Sequence, residues 1–254
     1  MLGWTSGPTK RSWLNGRSPS TSKRTCPAKT RVAPTSIYSW LWRKGASVTE
    51  RDNALGPQGN RRGTVLAFLP DRFADWEVGH ACSEINKPET GYAVRTMATR
   101  QGKVRSIGGL TVVPDLTAER DEVPEDLALA ILVGGESWQE PDIVRAGAWL
   151  VDACLARAVP VAAICGACSF LAERGYLDDC DHTGNADYEF AQLAPHYRGH
   201  DRFRNQPVVD GGRFITANGA AGIELACALF GRLDIKPWGN VETWRTAFKR
   251  GTFA

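Results

Sequence analysis

The stretch Pro160 to Gly175, PVAAICGACSFLAERG, leaves the chain few ways to fold. Small and β-branched apolar residues lead up to Cys165, and Gly166 and Ala167 leave no bulk beside it. A helical apolar pattern then runs through Phe170 and Leu171 to Arg174, where Gly175 stops it. The pattern spells a strand, a tight turn and a helix. In an open parallel sheet, ligands bind at the carboxyl ends of such strands. A thiol there also faces the positive end of the following helix, which favours the reactive thiolate. Cys165 is therefore the candidate nucleophile, and what matters elsewhere is what the chain places around its sulfur.

Thr64 to Leu69 is a short apolar run and predicts a buried parallel strand. Asp75 is placed to cap the helix that follows, with Val78, Ala81, Cys82 and Ile85 on one face and Glu77 in its first turn, near the end of the first strand. Tyr92 to Ala98 predicts a second strand, and Lys103 to Val113 a pair of short strands around Gly108 and Gly109. Leu127 to Val133 is a central strand ending on Gly134 and Gly135, whose bare amides could meet a developing oxyanion. Pro141 to Ala158 is a crossover helix that returns the chain in parallel to the Cys165 strand. Asn185 or Asp187 could cap a further helix. Val208 to Ala217 reads as a hairpin about Gly211 and Gly212, ending at Asn218 and Gly219. A helix over Ala221 to Phe230, packing through Ile223, Ala226, Cys227 and Phe230 and stopped by Gly231, and an amphipathic one over about Trp238 to Phe248, complete the chain. Strands alternating with helices give an α/β, doubly wound, mostly parallel sheet with helices on both faces, in a single domain.

Charge divides the 254 residues unevenly. Residues 1–49 hold nine Lys or Arg and no acid, against a formal total of +3, so the remainder is net acidic. The basic character belongs to a leader and not to the body, which argues against a nucleic-acid partner. Residues 1–62 read as a basic, disordered leader, either resembling an organelle transit segment or lying upstream of a start codon assigned too early; Trp4, Trp13, Trp40 and Trp42 sit awkwardly in a transit segment. Residues 63–232 form the folded domain and 233–254 a C-terminal helical extension. No membrane partner is expected, since no run approaches a membrane span. Seven cysteines without a disulfide framework or a secretory signal predict a reducing, cytoplasmic setting.

Several side chains compete for a role beside Cys165. Cys168 completes a CxxC, which reads either as a redox partner one turn away or as a buried face of the helix. Cys180 and His182 could join the two cysteines around zinc, but no second CxxC or paired histidine spacing supports that, and neither metal nor cofactor is expected. His182 is the candidate base, provided its short strand neighbours that of the nucleophile. A lone histidine is more often a packing residue.

The segments FADWE (Phe73 to Glu77), SIGGLTVVPD (from Ser106), VGGESW (from Val133), AAICGACSFLAERGYLDD (from Ala162), HTGN (His182 to Asn185) and FITANGAAGIE (from Phe214), in this order, resemble the ThiJ/PfpI family of the class I glutamine amidotransferase-like superfamily, in its intracellular protease/amidase and general stress protein branches. The resemblance implies a flavodoxin-like sandwich, a nucleophile elbow at Cys165, a carboxyl at Glu77 hydrogen-bonded to it, a backbone oxyanion site at Gly135 and Gly166, and a homodimer. It also implies amidase-like, glutamine amidotransferase-like or glyoxalase/deglycase-like action on a small carbonyl or amide substrate, which makes the protein a cysteine hydrolase or lyase. Two departures stand out. Many protease-like members carry a histidine directly after the cysteine, where this chain has Gly166, and HTGN offers only His182 or Asn185 near the site. Asn218 closes the same group of strand ends. The alternatives are a stress-responsive redox thiol, with Cys168 resolving the oxidised Cys165, and a non-catalytic binding module on the same fold.

Overall fold

The computed structural model describes residues 61–252; the reading of the basic leader lies outside them. Among the described residues the strands are β1 (Gly63–Phe68), β2 (Tyr92–Ala98), β3 (Val104–Arg105), β4 (Thr111–Val112), β5 (Leu116–Thr117), β6 (Leu127–Leu132), β7 (Val161–Ile164), β8 (Val208–Asp210) and β9 (Phe214–Ala217). The helices are α1 (Gly79–Ile85), α2 (Pro141–Ala156), α3 (Gly166–Glu173), α4 (Asp187–Leu193), α5 (Gly222–Arg232) and α6 (Val241–Arg250). Seven strands form one sheet in the order β5-β2-β1-β6-β7-β9-β8, parallel except for β8 against β9, and β3 and β4 form a separate hairpin. The expected doubly wound, mostly parallel α/β sheet is present.

The central strands are buried on both faces, and the two-residue period of a strand sorts their side chains into two cores. Leu66 and Phe68 of β1, Ala130 and Leu132 of β6, and Val161 and Ala163 of β7 point into one core, with α2 and α3. Val65 and Ala67, Leu129 and Ile131, and Ala162 and Ile164 point into the other, with α1, α5 and α6. The chain runs outward from β1 to β2 on one side, then from β6 through β7 to β9 on the other. The order therefore switches between β1 and β6, and the strand ends around that switch form the crevice where this architecture binds ligands.

Four local expectations are corrected. Asp75 does not cap α1: residues Asp75–Glu77 make one tight 3-10 turn, α1 begins only at Gly79, and the Asp75 carboxylate instead accepts the Ser106 hydroxyl of the β3–β4 hairpin. Neither Asn185 nor Asp187 caps α4, whose N-cap is Ala186, because the Asn185 amide is drawn into the crevice. Helix α5 continues through Gly231 to Arg232 and buries Gly222, Leu225, Ala226, Leu229 and Phe230, with Ile223 and Cys227 only partly covered. Its core stripe thus lies a fraction of a turn from the expected one. Helix α6 starts at Val241, since the Asn240 side chain accepts from the Glu242 and Thr243 amides at 2.8 and 3.1 Å, while Trp238, at φ 52°, lies in a separate 3-10 turn, Pro237–Gly239.

The C-terminal extension shares the core of the domain. Trp244 of α6 is fully buried, meets Phe230 of α5 edge-on with ring centres 5.0 Å apart, and lies 4.5 Å from Phe248. Its indole N–H has no acceptor. Trp244→Ala should therefore lower unfolding stability by about 3–5 kcal/mol, as for other buried aromatic truncations. Trp244→Phe should cost much less, because it also removes an unsatisfied donor. Denaturant midpoints of the three proteins check both, and a near-neutral Trp244→Ala would show that α6 is only loosely attached.

Candidate active site around Cys165

β7 delivers Cys165 to the carboxyl edge of the sheet, and α3 begins at the next residue. Between them Cys165 adopts φ 58° and ψ −128°. Residues with a side chain rarely take such a conformation, and it costs roughly 1–3 kcal/mol. Backbone bonds hold it in place: Cys165 N–H donates to the Ala217 carbonyl at 3.0 Å, and the Cys165 carbonyl accepts from Cys168 N–H at 2.9 Å. The Gly166 N–H at the start of α3 favours the charged form of the sulfur. Cys165 remains partly exposed, whereas Cys168 is buried.

Glu77 comes to the sulfur from the other side of the switch. The tight turn after β1 carries it under the end of β6, where Oε2 accepts the Gly134 N–H at 2.8 Å and the residue is fully buried. Oε1 has no partner of full hydrogen-bond geometry, and the group facing it is the Cys165 thiol, close enough to couple the two ionisations. Only glycine permits this approach. A Cβ at Gly134 would lie 2.6 Å from the Cys165 Cβ and nearer still to Oε2, and one at Gly219 would lie 3.0 Å from Sγ and 3.3 Å from Oε1. Burial raises the Glu77 carboxyl to about 7, against opposing hydrogen bonds from Cys165 and Gly134. Burial, followed by the charge on Glu77, raises the Cys165 thiol to about 11. Both shifts reflect a pocket that does not hold two negative charges at once, so the two groups titrate as one unit and share a proton.

The surrounding donors decide where the single charge sits. The carboxyl has the Gly134 amide alone, while the sulfur has the Gly166 N–H, the helix terminus and the Asn185 amide, whose Nδ2 lies 3.4 Å away. Asn185 is oriented unambiguously: its Oδ1 accepts Gly219 N–H at 2.9 Å, and its Nδ2 also donates to Glu189 at 3.1 Å. Ser169 donates to the same Glu189 oxygen at 3.2 Å. These donors favour placing the charge on the sulfur, against the burial and the Glu77 charge that raise its thiol.

Gly135 and Gly166 lie side by side; a Cβ at Gly166 would meet the Gly135 carbonyl at 2.9 Å. Among the described residues neither amide donates to a backbone carbonyl, so both are available to an oxyanion formed at the sulfur. Gly134 is corrected: its N–H belongs to Glu77 and is not an oxyanion donor. His182 is not brought to the sulfur either. Its Nδ1 lies 2.8 Å from the Cys180 carbonyl and its Nε2 2.6 Å from the Tyr197 hydroxyl, and the fully buried ring packs against Phe190 and the partly buried Phe203. Burial lowers its pKa, which leaves a neutral packing histidine. Cys168 donates to the Ala217 carbonyl at 3.4 Å, and burial pushes its thiol far up, as fits a core residue. The Asn218 side chain accepts the Ala220 amide at 3.0 Å and shapes the loop without touching the sulfur. Among the described residues no group of three or more His, Cys, Asp or Glu is placed to hold a metal ion.

Three contributors were not singled out from the sequence. Gly219 sits over the sulfur, Glu189 fixes Asn185, and Trp76 donates its indole N–H to the Gly219 carbonyl at 3.2 Å while remaining 53% exposed. Trp76 had a readable signal, a large aromatic beside Glu77 and off the apolar face of the helix. Gly219 and Glu189 had none, because only the fold brings them to β7.

The shared proton can be tested through the reactivity of the thiol. The rate of Cys165 alkylation by iodoacetamide should rise with pH through about 7 as the pair loses its first proton. Glu77→Leu should remove a donor to the thiolate, move the rise to higher pH and slow alkylation at neutral pH by about tenfold, one pKa unit. Glu77→Gln, which still carries an N–H, should lie between. A faster Glu77→Leu protein would place the charge on the carboxyl.

The sequence of residues 63–231 matches the DJ-1/PfpI family. Two proteins of Bacillus subtilis, named uncharacterized proteases YoaZ and YdeA, are 29% and 30% identical over 186 and 178 residues, spanning 71% and 70% of this chain and 88% and 87% of their own. The crystal structure of a ThiJ/PfpI family protein from Bacillus anthracis superposes with a TM-score of 0.68 at 27% identity, over 77% of this chain and 94% of that one. A DJ-1 superfamily protein from Agrobacterium tumefaciens does so with a TM-score of 0.65 at 30% identity, over 74% and 99%. With its flavodoxin-like sheet and a family match that begins at β1 and ends within α5, this chain belongs to the DJ-1/PfpI family.

Proposed function

We propose that the protein is a Cys165-dependent enzyme acting on a small carbonyl or amide compound. The observation that supports this most is the strained cysteine whose sulfur faces a buried, half-satisfied carboxyl and stands next to the Gly135 and Gly166 amides, neither of which donates to a backbone carbonyl among the described residues. The thiolate attacks the carbonyl carbon, and the oxygen takes up negative charge within reach of the Gly135 and Gly166 N–H groups. With an aldehyde, the proton held by Glu77 passes to that oxygen and a hemithioacetal forms. With an amide, the proton goes to the departing nitrogen, the C–N bond breaks and a thioester remains. Water then cleaves the thioester, returning a carboxylic acid and the thiol. A carboxyl held near pKa 7 suits both directions of transfer. The relatives' names as proteases point to the amide branch. The six described cysteines are free, in keeping with a reducing, cytoplasmic setting, and no described helix is long and apolar enough to cross a membrane. Turnover of amides, short peptides and 2-oxoaldehydes should fall by more than about a hundredfold in Cys165→Ser with the fold retained. Equal activity in the two proteins, or none across the panel, would overturn the proposal.

A second reading is favoured by one observation: among the described residues no imidazole is hydrogen-bonded to the sulfur, so hydrolysis would rest on Glu77 alone. A partly exposed thiolate with nearby N–H donors also suits oxidation, in which the sulfur attacks a peroxide oxygen, the O–O bond breaks, and a sulfenic acid and hydroxide result. Because Cys168 faces the core, graded peroxide should add one and then two oxygens to Cys165, read by intact mass. Loss of two hydrogens across Cys165 and Cys168 would show that the helix opens to form a disulfide.

A further inference from the structure

Trp76 joins the site through Gly219, but neither the proton transfer nor the oxyanion uses it. Its ring is 53% exposed although its indole N–H is hydrogen-bonded to the Gly219 carbonyl. Its position is nonetheless fixed. The preceding Asp75 carboxylate holds the Ser106 hydroxyl, and the following Glu77 holds the Gly134 amide. A Cβ at Gly222 would lie 3.2 Å from the Trp76 carbonyl, so α5 packs directly on its backbone. A chain of three hydrogen bonds joins the sulfur to the indole: Asn185 Nδ2 to Sγ at 3.4 Å, Gly219 N–H to Asn185 Oδ1 at 2.9 Å, and Trp76 Nε1–H to the Gly219 carbonyl at 3.2 Å. The indole edge is thus tied to the peptide that covers the nucleophile, while much of the ring stays open. Ile107, itself 40% exposed, stands on the hairpin that the same segment grips through the Ile107 N–H to Phe73 carbonyl bond at 2.8 Å.

We infer that Trp76 is the substrate-recognition wall of this site, and that the compound attacked by Cys165 carries a flat aromatic or similarly broad apolar group next to its reactive carbonyl. The inference rests on the proposed nucleophile but not on turnover. An indole held at one edge offers a rigid face at little entropic cost, and stacking on it orients a planar group before attack. The glycines about the sulfur leave room for the reacting carbon but provide no side-chain surface of their own, so the wall must come from a neighbouring element.

The test compares two alkylating agents of the same chemistry on the full chain, iodoacetamide and its N-phenyl analogue, by the rate of mass gain at Cys165. In each case the sulfur displaces iodide, and rates are normalised to those of a free thiol. Wild type should favour the aromatic reagent by about tenfold, as expected of one well-placed stacking contact. Trp76→Ala should reduce that ratio to about one, and Trp76→Phe, which keeps a ring but loses the bond to Gly219, should retain part of it. A ratio near one in wild type, or a ratio indifferent to Trp76→Ala, overturns the inference and leaves the nucleophile intact. A Trp76→Ala protein that keeps the ratio but sediments as a smaller species also overturns it, by assigning the ring to a contact between copies. Failure of both reagents to label Cys165 would overturn the proposed nucleophile itself.

Discussion

The whole site hangs on one buried carboxyl group. Glu77 links three strand ends: it follows β1, bonds to the Gly134 amide at the end of β6, and faces the thiol at the end of β7. Burial disfavours its ionised form, and the sulfur beside it disfavours a second charge. A single proton therefore suits both groups, and among the described residues no histidine is hydrogen-bonded to either. Any side chain at Gly134 or Gly219 would part the carboxyl from the thiol.

The strain at Cys165 depends on the same framework. A residue at φ 58° persists only when its surroundings leave it no alternative. Here the neighbouring strand β9 fixes one side through Ala217, and α3 fixes the other with a buried run from Ala167 to Ala172. The two cores on either side of the sheet supply the rigidity, and the α6 tryptophan adds to one of them. Stability distributed over the molecule is spent on one sharp turn.

His182 shows why residue type alone does not assign a role. Its spacing from Cys165 allowed a base, but both ring nitrogens are satisfied within an aromatic cluster that burial keeps neutral. Asn185, three residues on, is the member of that segment that reaches the sulfur, and it offers hydrogen-bond donors without titrating. The sulfur thus has a hydrogen bond from Asn185 and the Glu77 carboxyl facing it, with His182 held away.

By itself the sequence determined the layered sheet, the strand runs and the strand, turn and helix around Cys165. These follow from local periodicity: apolar runs of six or seven residues, a helical stripe after Cys165, and glycines where the chain turns. It also placed Glu77 near the end of β1, and the family resemblance paired that carboxyl with the cysteine. The tertiary structure alone decided the start of α1 and the missing caps, since Asp75 and Asn185 find partners remote in sequence, Ser106 and Gly219, that outcompete the local amides. It alone decided that Gly134 serves Glu77 and that Cys168 faces the core. It alone set Gly219 and Trp76 at the nucleophile, because hydrogen bonds across 143 and 34 residues are fixed by strand order and leave no trace in local pattern.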